Sequence, residues 1–243
     1  MTPFKAKSVT NVFWAMSELD YRNKAMFEVM QTFILEKRHQ FDPYDLNLIF
    51  NAYNNYRMAN YDILDAVSHS IIRNIQKMSF RSLANIANYC ANLNYVNHML
   101  MDQIEREIVK KLKRSPDFQN LLRKDGSKGL LSTPEENNTP ITEESPEELE
   151  AKTPEEKIKI SGLDEKINLM DITQILVSFC KLKIIKSELF EILELYFIQN
   201  LDKASGASIV SYAFAHSALC NEMLQKYQAN KKTFLKRSLK NLK

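Results

Sequence analysis

Asn51, Asn55, Asn85, Asn88, Asn92 and Gln174, together with Lys181, are the side chains of this sequence whose type and spacing best suit recognition chemistry. A carboxamide carries both a donor and an acceptor, so a row of them can pair with the edges of unstacked bases. Asn11, Trp14 and Glu18 occupy the corresponding places earlier in the chain. The same residues also suit a solvated helix face, where Asn is tolerated, and the two readings compete. A second charged feature is Lys226, Lys231, Lys232, Lys236, Arg237, Lys240 and Lys243, a run with Phe234 and Leu235 among its charges and no Asp or Glu. Such a tail neutralises phosphates without reading sequence and makes affinity salt-sensitive. A plain solvated terminus and a membrane-surface helix are its other readings.

Nothing comparable points to catalysis. His39, His69, His98 and His216 are scattered, with no HExxH or Cys–His spacing for a metal or a nucleophile. Cys90, Cys180 and Cys220 are odd in number and far apart, which argues against a disulfide framework and for a reducing interior. Gly126-Ser127-Lys128-Gly129 lacks the GxxxxGK[ST] spacing of a phosphate loop. The expectation is a protein that is not an enzyme, with no catalytic residue, metal, cofactor or small-molecule substrate. No stretch of eighteen apolar residues is present, so no transmembrane segment is expected. Met1 to Thr10 has Lys5 and Lys7 but no acid, too short a stretch to identify a presequence. Trp14, Phe50 and Tyr89 read as helix-packing aromatics before stacking platforms.

The elements that must position the amides follow from a period. Val12, Ile49 and Ile86 are spaced 37 residues apart, and each opens the same two apolar stripes. Counting from the anchor, places 0, 4 and 7 hold Val12, Met16, Leu19; Ile49, Tyr53, Tyr56; Ile86, Cys90, Leu93; and, after a gap, Ile175, Phe179, Leu182. Places 14, 18 and 22 hold Met26, Met30, Ile34; Ile63, Val67, Ile71; Leu100, Ile104, Ile108; and Leu189, Leu193, Phe197. Each stripe has helical spacing, and the polar links between them suit antiparallel helices. The amides lie at −1, +2 and +6, a face away from the first stripe. Asp42-Pro43 and Ser79 mark helix starts. A degenerate fifth unit is anchored near Ile209, with Tyr212 and Met223-Leu224 as packing positions. With only four glycines and seven prolines, the expected fold is all-α: a right-handed α-solenoid of about five stacked helix-turn-helix repeats of 37 residues.

One break interrupts the period. Ile86 and Ile175 are 89 residues apart, one repeat plus 52. The excess reads as a disordered acidic insertion over 113–164, whose centre, 132–157, holds nine glutamates and four prolines but only Ile141, Leu149 and Ala151 as apolar residues. Ser145-Pro146-Glu147-Glu148 and Thr153-Pro154-Glu155-Glu156 are helix-start signals within it. The organisation is then repeats one to three over 1–112, the insertion over 113–164, repeats four and five over 165–228 and a basic tail over 229–243. The net charge of +3 divides as +2, −4 and +5 over 1–112, 113–166 and 167–243.

Leu83-Ala84-Asn85-Ile86-Ala87-Asn88-Tyr89-Cys90-Ala91-Asn92-Leu93 and Val9-Thr10-Asn11-Val12-Phe13-Trp14-Ala15-Met16-Ser17-Glu18-Leu19 resemble the first helix of heptatricopeptide-type repeats. These occur in RAP-domain and FAST-kinase-like organellar proteins; octotricopeptide repeats are related. The resemblance is closest over 8–112, fair over 168–201 and weak over 202–228. It implies RNA binding in a mitochondrial matrix or plastid particle, the concrete case being an rRNA-contacting structural or assembly subunit of a mitochondrial ribosome with protein neighbours. No RAP domain follows the repeats, so a nuclease-like activity is not carried over. A protein-only scaffold in a large mitochondrial, for example respiratory, assembly is the alternative.

Overall fold

The computed structural model describes residues 5–125 and 167–221, and among these described residues the fold is all-α, without strands. The helices are α1 (Ala6–Glu18), α2 (Lys24–Lys37), α3 (Pro43–Tyr56), α4 (Tyr61–Asn74), α5 (Phe80–Asn92), α6 (His98–Arg114), α7 (Pro116–Asp125), α8 (Leu169–Lys181), α9 (Ser187–Gln199) and α10, residues 206–221. Short 3-10 turns, Ile75–Lys77 and Leu201–Lys203, follow α4 and α9.

The boundaries recur with the period because the same capping chemistry recurs. Lys5, Asp42, Ser79 and Asn168 precede α1, α3, α5 and α8, each seven residues before its anchor. The side chains of Asp42, Ser79 and Asn168 accept hydrogen bonds from the N–H groups of Asp45, Ser82 and Met170, satisfying donors that a helix start leaves open. Asp42 and Asp45 form a reciprocal capping box. Each of these helices ends on a left-handed residue: Asp20, Arg57, Asn94 and Lys183, with φ of 48°, 52°, 52° and 57°, all eight residues after their anchors. The next residue's N–H reaches back to the carbonyl five positions earlier, Tyr21 to Met16 at 2.9 Å, Met58 to Tyr53 at 3.3 Å, Tyr95 to Cys90 at 2.9 Å and Ile184 to Phe179 at 3.0 Å. This is the Schellman closure, here without glycine. Asn23, Asn60 and Asn97 then cap α2, α4 and α6 through their side-chain oxygens; Lys186, in the equivalent place, does not cap α9.

Packing follows the same order. α1 lies on α3, α3 on α5, and α5 on α8; α2 meets α4, α4 meets α6, and α6 meets α9. The direct α5–α8 contact means that the long excursion between them leaves the row of first helices continuous. Of the second stripe, eleven of twelve residues are buried; Met26, at 40% exposed, is the exception. In the first stripe, Val12 (40%) and Leu19 (80%) are exposed, while Ile49, Ile86 and Ile175, in the place of Val12, and Tyr56, Leu93 and Leu182, in the place of Leu19, are buried. The difference lies in what covers them, since α1 packs on α3 but no described helix covers its other side. Phe13, Phe27, Tyr53 and Tyr56 form one aromatic cluster across the first two helix pairs, with Phe13 5.4 Å from both Phe27 and Tyr53 and Phe27 5.3 Å from Tyr56. Edge-to-face and tilted contacts of this kind add to the burial of four large rings.

Three expectations change. Trp14 is 36% exposed and is not a core residue, because its side of α1 has no neighbour among the described helices; Phe50 is buried and Tyr89 half-buried. The start of the segment assigned to the insertion is helical: α6 runs on to Arg114 and α7 follows at once, with Phe118 fully buried and stacked on Tyr196 of α9 at 6.3 Å. Phe118 supplies a large apolar aromatic side chain of a kind that the sequence of the glutamate-rich centre does not contain. The last anchor is Tyr212 and not Ile209. Ser205 caps α10 through the Ser208 N–H, and counting seven residues from that cap gives Tyr212, 37 residues after Ile175. Tyr212 stacks on Phe197 at 4.4 Å, whereas Ile209 is 43% exposed. Met223-Leu224, Gly126-Ser127-Lys128-Gly129, the insertion's centre and the two helix-start signals in it lie outside the described residues.

Candidate nucleic-acid interface

The amides singled out from the sequence come together as a row across neighbouring helices, and most of them are occupied in holding that row. Asn55 of α3 donates to Glu18 of α1 at 2.7 Å and to Ser17 at 3.2 Å. Asn92 of α5 donates to Asn54 of α3 at 3.1 Å. Gln174 of α8 donates to Asn85 of α5 at 3.1 Å and to the Ala84 carbonyl at 3.2 Å. Each bond spans one repeat step, and the step from Asn85 to Gln174 is the one that crosses the insertion. A carboxamide that has lent its N–H to the next helix keeps a carbonyl oxygen to offer, so these residues present fewer donors than their number suggests.

Asn51 and Asn88 differ. Both sit two residues after their anchors, both are half-buried, and neither side chain is hydrogen-bonded to another described residue. The same place in α1 holds Trp14, exposed. Three successive first helices therefore set an indole and two uncommitted amides along one line. Lys181 is exposed at the end of α8. A groove lined by Asn54, Arg57, Ala59, Asn92 and Leu93 adjoins the row. Sequence reasoning passed over Asn54, one residue from the named Asn55, because it lies five residues after its anchor, outside the −1, +2 and +6 places. Lys226, Lys231, Lys232, Lys236, Arg237, Lys240 and Lys243 lie outside the described residues.

The other polar clusters hold helices together. Tyr95 donates its hydroxyl to Asp65 and is within 3.0 Å of the Ser68 hydroxyl, while the Asn97 amide donates to it at 2.9 Å, tying the turn before α6 to α4. Burial first, then the Asp65 carboxylate, pushes the Tyr95 hydroxyl well above the usual phenol range. Lys186, freed from capping, reaches Asp102 at 2.8 Å and Glu105 at 3.5 Å on α6. Its ammonium is raised chiefly by the Asp102 bond, and burial raises Glu105 against the opposing pull of Lys186. Glu194 accepts from the Tyr212 hydroxyl at 2.7 Å and lies 3.1 Å from His216 Nδ1, whose Nε2 is 3.6 Å from Cys220 Sγ. This cluster fastens α10 to α9 on an exposed surface. His39 meets Arg73 at 3.0 Å. Among the described residues no three His, Cys, Asp or Glu side chains are placed to hold a metal ion, and no helix is long and apolar enough to cross a membrane.

No protein-family model matches the chain and no curated protein matches it significantly in sequence.

Proposed function

We propose that the chain is a non-catalytic RNA-binding protein built as a right-handed α-solenoid of about five 37-residue helix pairs, and that it serves as a subunit of an organellar ribonucleoprotein. The concrete case is a mitochondrial ribosome, with rRNA as the RNA contacted and a structural or assembly role in the matrix. The observation that carries the reading is the line of Trp14, Asn51 and Asn88, one place in three successive helices. An indole offers a stacking surface that accepts any base, and a free carboxamide discriminates among base edges. Asn55, Asn85, Asn92 and Gln174 serve mainly as the frame that fixes the line, and Lys181 adds a charge beside it. The seven basic residues from Lys226 to Lys243 supply affinity for phosphates that is independent of sequence.

A protein-only scaffold of a large mitochondrial assembly is the second reading. It is favoured by the apolar surface of the first helix pair, where Leu19 is 80% and Val29 62% exposed. Replacing the seven tail cations by Gln separates the two. On the RNA reading the altered chain leaves its particle at lower salt than the native chain; a scaffold held by apolar contacts leaves at the same salt.

A further inference from the structure

The repeat places a second set of side chains as regularly as the amides, on a different edge of the row. The second helices α4 and α6, and the turn after α9, carry cations where they hand over to the next first helix. Arg73 and Lys110 stand 24 residues after their anchors, and Lys77, Arg114 and Lys203 stand 28 after theirs. The last three are all exposed, and among the described residues none of them is held in a salt bridge. Lys203 donates within its own turn to Asn200 at 3.0 Å, which leaves its charge uncompensated. The neighbourhood of these cations is continuous. Arg73 meets His39 of the preceding loop at 3.0 Å, Ser70 donates to the Arg38 carbonyl at 3.0 Å, and the Ile75–Lys77 turn packs on α6, which in turn meets α9.

A cation near a helix C-terminus has a local reason to be there, since it offsets the helix dipole. That accounts for Arg73, in the last turn of α4, and for Arg114, the last residue of α6. It does not account for Lys77 and Lys203, which lie past the α-helical ends in 3-10 turns. Exposed carboxylates share the edge, Glu36, Asp117 and Asp202, so it is not uniformly positive, but the repeated place itself is cationic in three consecutive helix pairs. Adjacent packed helices are about 8–10 Å apart, so the row steps by a distance that about three stacked nucleotides span. A polymer of evenly spaced negative charge fits such a row better than a folded acidic patch does.

The geometry points to the edge of Lys77, Arg114 and Lys203 as the track for a single-stranded RNA backbone, read by charge and not by sequence. The inference rests on the RNA-binding reading above and adds where the phosphates lie.

The test uses the full chain and three fluorescent probes: a uridine homopolymer, an unrelated mixed-sequence RNA of the same length, and polyglutamate of the same charge. One variant carries Lys77→Gln, Arg114→Gln and Lys203→Gln. A control carries Lys24→Gln, Arg106→Gln and Lys183→Gln, which removes the same charge from other exposed positions. On a single strand, each phosphate that the protein no longer neutralises makes the slope of log affinity against log salt shallower by about 0.7. We expect the edge variant to bind both RNAs more weakly with a slope shallower by about 2, and the control to keep the native slope. Equal slopes for native and edge variant, equal weakening in both variants, or polyglutamate binding as tightly as RNA would each overturn the track while native RNA binding stands. A native chain that binds neither RNA at low salt would remove the RNA reading itself.

Discussion

At the scale of single residues, the repeat is written in backbone chemistry that differs in quality from one copy to the next. Asp20, Arg57, Asn94 and Lys183 all adopt positive φ, a conformation that costs a residue with a Cβ roughly 1–2 kcal/mol relative to glycine. Lys183→Gly should therefore stabilise the chain by about 1 kcal/mol, and Asn94→Gly by less, since asparagine tolerates the left-handed region. Urea denaturation checks both, and a destabilised Lys183→Gly would show that this turn is held by contacts of the side chain. The three cysteines make a second residue-scale prediction. Cys90 is fully buried with its thiol pushed up by burial, Cys180 is half-buried, and Cys220 is exposed. An alkylating reagent should modify Cys220 first and Cys90 only on unfolding; early labelling of Cys90 would mean that α5 opens locally. Of these features, the sequence shows Asn23, Asn60 and Asn97 at the repeat spacing to anyone who already has the period. The left-handed residues are not legible, because Asp, Arg, Asn and Lys share no chemistry and only the turn geometry makes them equivalent.

At the scale of elements, the question is what fixes one helix on the next. Gln174 and Asn85 join α8 to α5 across the insertion, and both are half-buried, so their bond should be worth about 1 kcal/mol. A double-mutant cycle of Gln174→Ala and Asn85→Ala should give a coupling near that value; strict additivity would show that the apolar contacts alone set the register. The α6–α9 contact carries a pH dependence. The Lys186 ammonium is raised above its ordinary value of 10.5, first by the Asp102 bond. Its stabilising contribution is therefore fully present below pH 10.5 and is lost as pH rises through the higher folded value. Lys186→Gln should lower the thermal midpoint at pH 7, and the gap from the native chain should close in strongly alkaline solution. A gap that persists there would assign the destabilisation to packing of the lysine stem. Apolar periodicity made the paired helices legible, because burial requires it. It misplaced the last anchor by three residues: Ile209 looks like an anchor by type, but the cap at Ser205 sets the register.

At the scale of the whole molecule, the amphipathic stripes and caps build a row of helices whose long surfaces are polar and whose first pair leaves an apolar side open. Trp14, exposed where a packing residue was expected, belongs to that open side; its environment depends on which helix lies beside it, which no single-repeat pattern can express. The same limit applies to the amides. Their recurrence was legible, but their division into bridging Asn55, Asn92 and Gln174 and uncommitted Asn51 and Asn88 depends on the offset between neighbouring helices. The RNA-binding claim joins these surfaces to the basic tail, and it is tested most directly by ultraviolet crosslinking in cells, followed by denaturing purification of the full chain and of one lacking residues 226–243. The account predicts covalently bound RNA on the full chain and a large drop in it on the truncated one; a full chain that carries no crosslinked RNA would contradict it.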